Sequence, residues 1–194
     1  MIVENNDMMQ EEKPDVIDEI KKDHRLVEEY YANYKSTKDK EERKYWFNQF
    51  VWAVTAHSAA EEAIVYSLIE SINEKGKELG MQSRLEHDEF KKKLEELSKE
   101  HDEAQFNIKF EEAVETLMEH VTKEETEDLV FLFQHVDLRP RQIACEMFLK
   151  KKLLIPNQSN DSGRHKTLES AIGVLDTPIE KVRSMLIQES QGFL

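Results

Sequence analysis

Residues 47–68, FNQFVWAVTAHSAAEEAIVYSL, place Phe47, Phe50, Val54, Ile64 and Leu68 at alternating spacings of three and four, the signature of a helix that buries one stripe. Two places on that stripe, 57 and 61, hold His57 and Glu61 instead of apolar side chains. The same rhythm extends outward in both directions. Upstream, Ile17, Ile20, Val27, Tyr31 and Tyr34 form a stripe whose gap holds His24, and Pro14 is expected at the first helical position with Asp15, Asp18 and Glu19 in the first turn. Downstream, Gly76 and Gly80 are expected to break the pattern before a third helix with Phe90, Leu94 and Leu97, whose preceding stripe position is His87. A fourth helix from about Glu103 carries Phe106, Phe110, Ala113 and Leu117, and its next two inward places are His120 and Glu124. Leu129 to Phe133 continues apolar, and Arg139 to Leu153 reads as a further helix with Lys150, Lys151 and Lys152 at its C-terminal end.

These segments define an all-α protein, expected as an up-down-up-down four-helix bundle with additional C-terminal helices. The expected organisation is a polar tail over 1–13, the bundle with a following helix over 14–155, a linker over 156–164 (PNQSNDSGR) and a short helical extension over 165–194. Leu168, Ile172 and Leu175 mark the first helix of that extension, and Thr177-Pro178-Ile179-Glu180 opens a second as a capping box. So small a pair must pack on the bundle or on a protein partner. Of the 194 residues, 39% are hydrophobic and 35% charged, with only 5 Gly and 4 Pro, which excludes turn-rich β architectures and collagen-like chains. A net charge of -14 repels a phosphate backbone, so nucleic acid is not an expected partner. The single Cys145 rules out an internal disulfide and suits a reducing compartment. No apolar run reaches membrane-spanning length, and residues 1–13, with four acidic residues, do not read as a secretory signal. The expected location is cytoplasmic, and nothing in the sequence argues against the nucleus.

Six ionisable side chains, His24, His57, Glu61, His87, His120 and Glu124, thus fall where the helical period points inward. Burying a neutral polar group without a partner costs roughly 2–7 kcal/mol, and an unpaired carboxylate more. A metal satisfies imidazoles and carboxylates together. His57 and Glu61, like His120 and Glu124, are four residues apart and share a helix face. His24 precedes His57 by 33 residues and His87 precedes His120 by 33, so the two halves read as a repeat that builds one site for two metals. His87 and His120 come out at similar depths in the bundle, whereas His57 lies deeper from the 35–40 turn than His24 does. His101, His135 and His165 fall outside the pattern and read as surface or packing residues. Glu62 and Glu125 point about 100° away from their neighbours and read as solvated or supporting groups. Tyr31, Tyr34 and Trp52 read as core aromatics.

No His has a Glu three residues before it, which disfavours the ferritin-like di-iron pattern. Structural zinc favours cysteine ligands, and Cys145 is off the pattern. Iron suits the donor set, with zinc or manganese as alternatives. Asp23-His24, His57-Ser58-Ala59-Ala60-Glu61-Glu62, Glu86-His87 and His120-Val121-Thr122-Lys123-Glu124-Glu125, in that order, resemble the hemerythrin-like, or HHE cation-binding, domain over roughly residues 14–153. The resemblance implies a non-haem di-iron centre in which the two Glu bridge, the four His bind terminally and one position is open to dioxygen or a related small ligand. Oxygen-carrying members have a second His on helix three, four residues from the first; here those positions are Ser83 and Lys91. The implied functions are therefore binding or sensing of dioxygen, of reactive oxygen or nitrogen species, or of iron. The alternatives are a di-iron enzyme that activates dioxygen or decomposes peroxide, and an iron-responsive interaction module.

Overall fold

A computed structural model describes residues 13–155 and 163–177 of the chain. Helix α1, Val16–Ser36, starts two residues later than the proline suggested, because the Asp15 side chain takes the cap position and accepts a hydrogen bond from the Ile17 amide at 3.1 Å. Asp39 caps α2, Lys40–Ala60, by accepting from the Glu41 and Glu42 amides. That rod continues through a π-helical turn, π1 (Glu61–Val65), into α3, Tyr66–Glu70. Asn73 and Asp102 cap the next two rods, α4 (Glu74–Ser98) and α5 (Glu103–Lys123). The latter runs through a second π turn, π2 (Glu124–Asp128), into α6, Leu129–His135. Then follow α7, Leu138–Leu153, and α8, Arg164–Leu175.

Gly76 and Gly80 do not break a helix. Both lie inside α4, where a Cβ on Gly76 would stand 2.1 Å from the Ile69 carbonyl oxygen and one on Gly80 2.6 Å from Glu70 Cγ. They are the notch that lets α4 pack directly on α3.

Two apolar clusters fill the bundle. One, built on Tyr34, Phe47, Phe50, Leu94, Leu97, Phe106 and Phe110, lies toward the α1–α2 and α4–α5 turns. Its aromatic rings meet edge to face, as between Tyr34 and Phe110 with centroids 4.9 Å apart. The other joins Val16, Ile20, Val65, Ile69, Leu129, Leu132 and Phe148 at the opposite end. Between them, on all four rods, sit the inward-facing polar residues. Helix α8 packs on α2 and α4, burying Leu168 and Ala171 in the first cluster. The capping box at 177–180 falls largely outside the described residues. Helix α7 lies against α1 and α2 and is tied down by Arg141, which donates to Asp15 at 2.9 Å and to the Val136 carbonyl at 2.7 Å.

Candidate metal centre

All six inward-facing residues meet in one place. His24, His57, Glu61 and Glu124 bring ligand atoms within 4.8 Å of one another, and so do Glu61, His87 and His120. Glu61 belongs to both groups, Glu124 to the first. His24 Nε2 stands 3.2 Å from His57 Nε2, and His87 Nε2 stands 3.1 Å from His120 Nε2. The difference in depth expected for the first hairpin is present, and the second shows one too, against the expectation of similar depths for His87 and His120, because α4 ends at Ser98. His24 is twelve residues from the end of α1 and His57 seventeen from the start of α2, while His87 and His120 are eleven and seventeen from their turn. At ~1.5 Å per residue this leaves an axial offset of roughly 7–9 Å. Side chains lean toward the N-terminus of their own helix, and in antiparallel neighbours those leans converge, which closes the gap.

Each of the four imidazoles is braced through Nδ1. His24 meets Glu125 at 2.8 Å, His57 meets Asp23 at 3.1 Å, His87 meets Glu62 at 3.2 Å and His120 meets Glu86 at 2.9 Å. An ionised carboxylate only accepts, so each Nδ1 carries the hydrogen and a neutral ring presents the Nε2 lone pair to the interior. Of the solvated and supporting roles open to Glu62 and Glu125 from their positions, both take the supporting one. It had not assigned Asp23 and Glu86, although each immediately precedes an inward-facing His. The acid beside one His serves the His of the neighbouring helix: Asp23 serves His57, and Glu86 serves His120. The braces are held in turn. Lys152 donates to both Asp23 oxygens at 2.5 Å, Lys123 lies 2.9 Å from Glu86, and Arg25 bonds Glu125.

Two residues at the cage, Tyr66 and Asp128, carry no signal in the sequence reading, and Ser83 enters it only as a place where the second His of oxygen carriers would fall. Tyr66, wholly buried, puts its hydroxyl 3.1 Å from His87 Nε2, 3.4 Å from His120 Nε2 and 3.4 Å from Glu61 Oε2. Ser83, also wholly buried and four residues before His87, donates to Asp128 at 2.5 Å. His101 is exposed, while His135 and His165 use Nδ1 on the backbone carbonyls of Phe131 and Ser98, away from the cage.

The family model of the hemerythrin HHE cation-binding domain matches residues 15–132. A hemerythrin-like protein of Schizosaccharomyces pombe is 33% identical over 174 residues, covering 88% of this chain and 86% of that one. The chain belongs to the hemerythrin HHE cation-binding domain family. No solved structure matches it at a significant level.

The cage of this HHE domain asks for positive charge on physical grounds. Glu61 Oε1 and both Glu124 oxygens are buried with no hydrogen-bond partner among the described residues; His57 Nε2 at 3.0 Å and His24 Nε2 at 3.2 Å touch them without hydrogen-bond geometry. Leaving a buried carboxylate so placed costs several kcal/mol. Two imidazole nitrogens facing each other at 3.1–3.2 Å likewise need a proton or a cation between their lone pairs. Without metal, protons supply part of that charge. Burial alone would lower His57, but Glu61 and then Asp23 outweigh it and push the ring up to about 10. His120 is raised in the same way against its burial, by Glu86 first and then Glu124 and Glu61. Burial would raise Glu124, yet the surrounding imidazoles, His24 foremost, hold it below the usual carboxylate range. Asp128, facing apolar surroundings and the Glu124 charge, is pushed up to about 6 despite the Ser83 bond. A set of imidazoles and carboxylates that is short of cations fits a bound metal. No helix among the described residues is long and apolar enough to cross a membrane.

Proposed function

We propose that His24, His57, Glu61, His87, His120 and Glu124 hold two iron ions, and that this hemerythrin-like protein binds or senses dioxygen, a related reactive oxygen or nitrogen species, or iron itself. The observation that carries this reading is the pair of donor groups sharing the buried Glu61, inside a cage where Glu61 Oε1 and both Glu124 oxygens have no hydrogen-bond partner among the described residues. Bound there as a ferrous pair, iron would supply electrons to a small oxidant. The chain's own residues do the rest. The four carboxylates on Nδ1 fix each ring's tautomer and orientation, so that Nε2 faces the metals. The aromatic cluster on one side and the Val65, Ile69 and Leu129 cluster on the other keep bulk water away. Zinc or manganese would satisfy the same donors less selectively.

The test is elemental analysis of the purified full chain, with an optical spectrum recorded anaerobically and after exposure to dioxygen. Two irons per chain with an oxygen-dependent spectral change is the expected result. A preparation that contains no iron and takes none up overturns the reading. An enzyme that activates dioxygen or decomposes peroxide is the second reading. Ser83 and Lys91, the two places four residues from His87 where the second His of oxygen carriers would fall, favour it by leaving the centre one imidazole short. Turnover of peroxide, or of dioxygen with a reductant, separates the two.

A further inference from the structure

The halves of the cage are related by a shift of sixty-three residues, which carries His24 to His87, His57 to His120, Glu61 to Glu124 and π1 onto π2. The donor sets are nevertheless unequal. One group has four protein ligands, His24, His57, Glu61 and Glu124, and the other has three, Glu61, His87 and His120. The repeat is broken on the poorer side, where Tyr66 corresponds to Leu129 in the other half.

We propose that Tyr66 is itself a metal ligand, the fourth protein donor of the His87–His120 group; this rests on the metal-binding reading above. The argument is one of distances. Tyr66 Oη lies 3.1, 3.4 and 3.4 Å from His87 Nε2, His120 Nε2 and Glu61 Oε2, while His87 Nε2 lies 3.1 Å from His120 Nε2 and 3.6 Å from Glu61 Oε2. Donors bound at about 2.0–2.2 Å around one metal are separated by roughly 3.0 Å at the edge of an octahedron and roughly 3.4 Å at the edge of a tetrahedron. The phenol oxygen therefore stands at a vertex of the same polyhedron as the accepted ligands. Proton counting agrees. The phenol has one hydrogen to donate and three acceptor atoms within reach, so hydrogen bonding alone leaves two of them unmatched in a site closed to solvent. In the bound form the O–H bond breaks, its proton leaves to solvent, and the oxygen lone pair forms the bond to the metal.

The experiment uses the full chain loaded with ferric iron and, separately, titrated with Co2+, which reports coordination without redox chemistry. Resonance Raman of the wild-type ferric protein is expected to show metal-bound tyrosinate ring modes. Tyr66→Phe is expected to lose those modes and to bind one Co2+ equivalent at least tenfold more weakly while keeping the other. Tyr34→Phe, whose hydroxyl bonds Asn107 outside the cage, is expected to match wild type in both. If wild type takes up two equivalents but shows no tyrosinate modes and Tyr66→Phe titrates identically, the ligand proposal is overturned while the metal reading stands. If wild type takes up no metal, the metal reading fails and this proposal with it. Should Tyr66→Phe not fold, the wild-type spectrum alone decides.

Discussion

The cage is built from pairs of unlike residues at three levels: an imidazole, the carboxylate that braces its Nδ1, and often a cation that neutralises the brace. This layering sets what single substitutions should do. His57→Ala and Glu124→Ala are expected to lower metal content below two equivalents, whereas His165→Ala, at a residue bonded to the Ser98 carbonyl away from the cage, leaves it unchanged; equal metal in all three would refute the assignment. Glu86→Gln keeps the shape of the brace but removes its charge, and is expected to weaken metal binding roughly 10–100-fold without unfolding the chain. Competition with a metal-sensitive dye reads this directly. The six inward donors were legible because each occupies a gap in an apolar stripe. Asp23 and Glu86 were not, because a brace lies on the flank of its own helix and its partner lies on another, a relation that no single-helix period encodes. An acid immediately before an inward His was the available signal.

At the scale of elements, the two π turns explain why Tyr66 escaped the sequence reading. In an unbroken α-helix a residue five places beyond Glu61 is turned about 140° away from it. In π1 the Tyr66 amide bonds the Glu61 carbonyl across five residues, so the wider turn brings the two side chains back onto one face. Leu129 stands in the same relation to Glu124. Inserting an Ala after Ala63 should place Tyr66 one position farther from Glu61 than the π turn accommodates and rotate α3 by about 100°, carrying Tyr66 out of the cage and Ile69 out of the core. The expected outcome is loss of at least one metal equivalent and a lower thermal midpoint. The glycines were misread for a related reason, since a residue type that often ends helices here serves a contact between them. Gly76→Ala is expected to destabilise the fold by about 1–3 kcal/mol in urea unfolding, because the Ile69 backbone cannot yield 1 Å to the added methyl. Ordinary helix propensity predicts a gain of about 1 kcal/mol for the same change, so the sign of the result discriminates.

For the whole molecule, the polar waist between two apolar clusters couples stability to cations. Metal at 100 times its dissociation constant should add about 2.7 kcal/mol per independent site, visible as a raised melting temperature that a chelator removes. Acid should do the same as the chelator, since imidazoles must be unprotonated to bind, and metal content should fall between pH 7 and pH 4. The alkaline side behaves differently. Burial pushes the Cys145 thiol up to about 11 and raises the phenol of Tyr34 as well. Both groups are neutral when protonated and have a higher pKa folded than unfolded, so the stability tied to Cys145 is complete below about pH 9 and is lost as pH rises through about 11, and that tied to Tyr34 is lost in the same direction. Urea midpoints should therefore decline from pH 9 upward, less steeply in Cys145→Ala. The class of fold and the order of its rods were readable from periodicity alone. The docking of α7 and α8 was not, because their partners are set by distant ion pairs such as Arg141 with Asp15.

One of those distant contacts bears on how the protein can be divided. The family match ends at residue 132, yet Lys152, twenty residues farther on, clamps the carboxylate that holds His57. Trimming the chain to the matched span would strip the counter-charge from one corner of the cage and bare the apolar side of α1 and α2 that α7 covers. A chain cut at residue 132 is therefore expected to hold metal more weakly and to melt lower than one kept through Lys152, where an ammonium group rather than a helix of the bundle closes the cage.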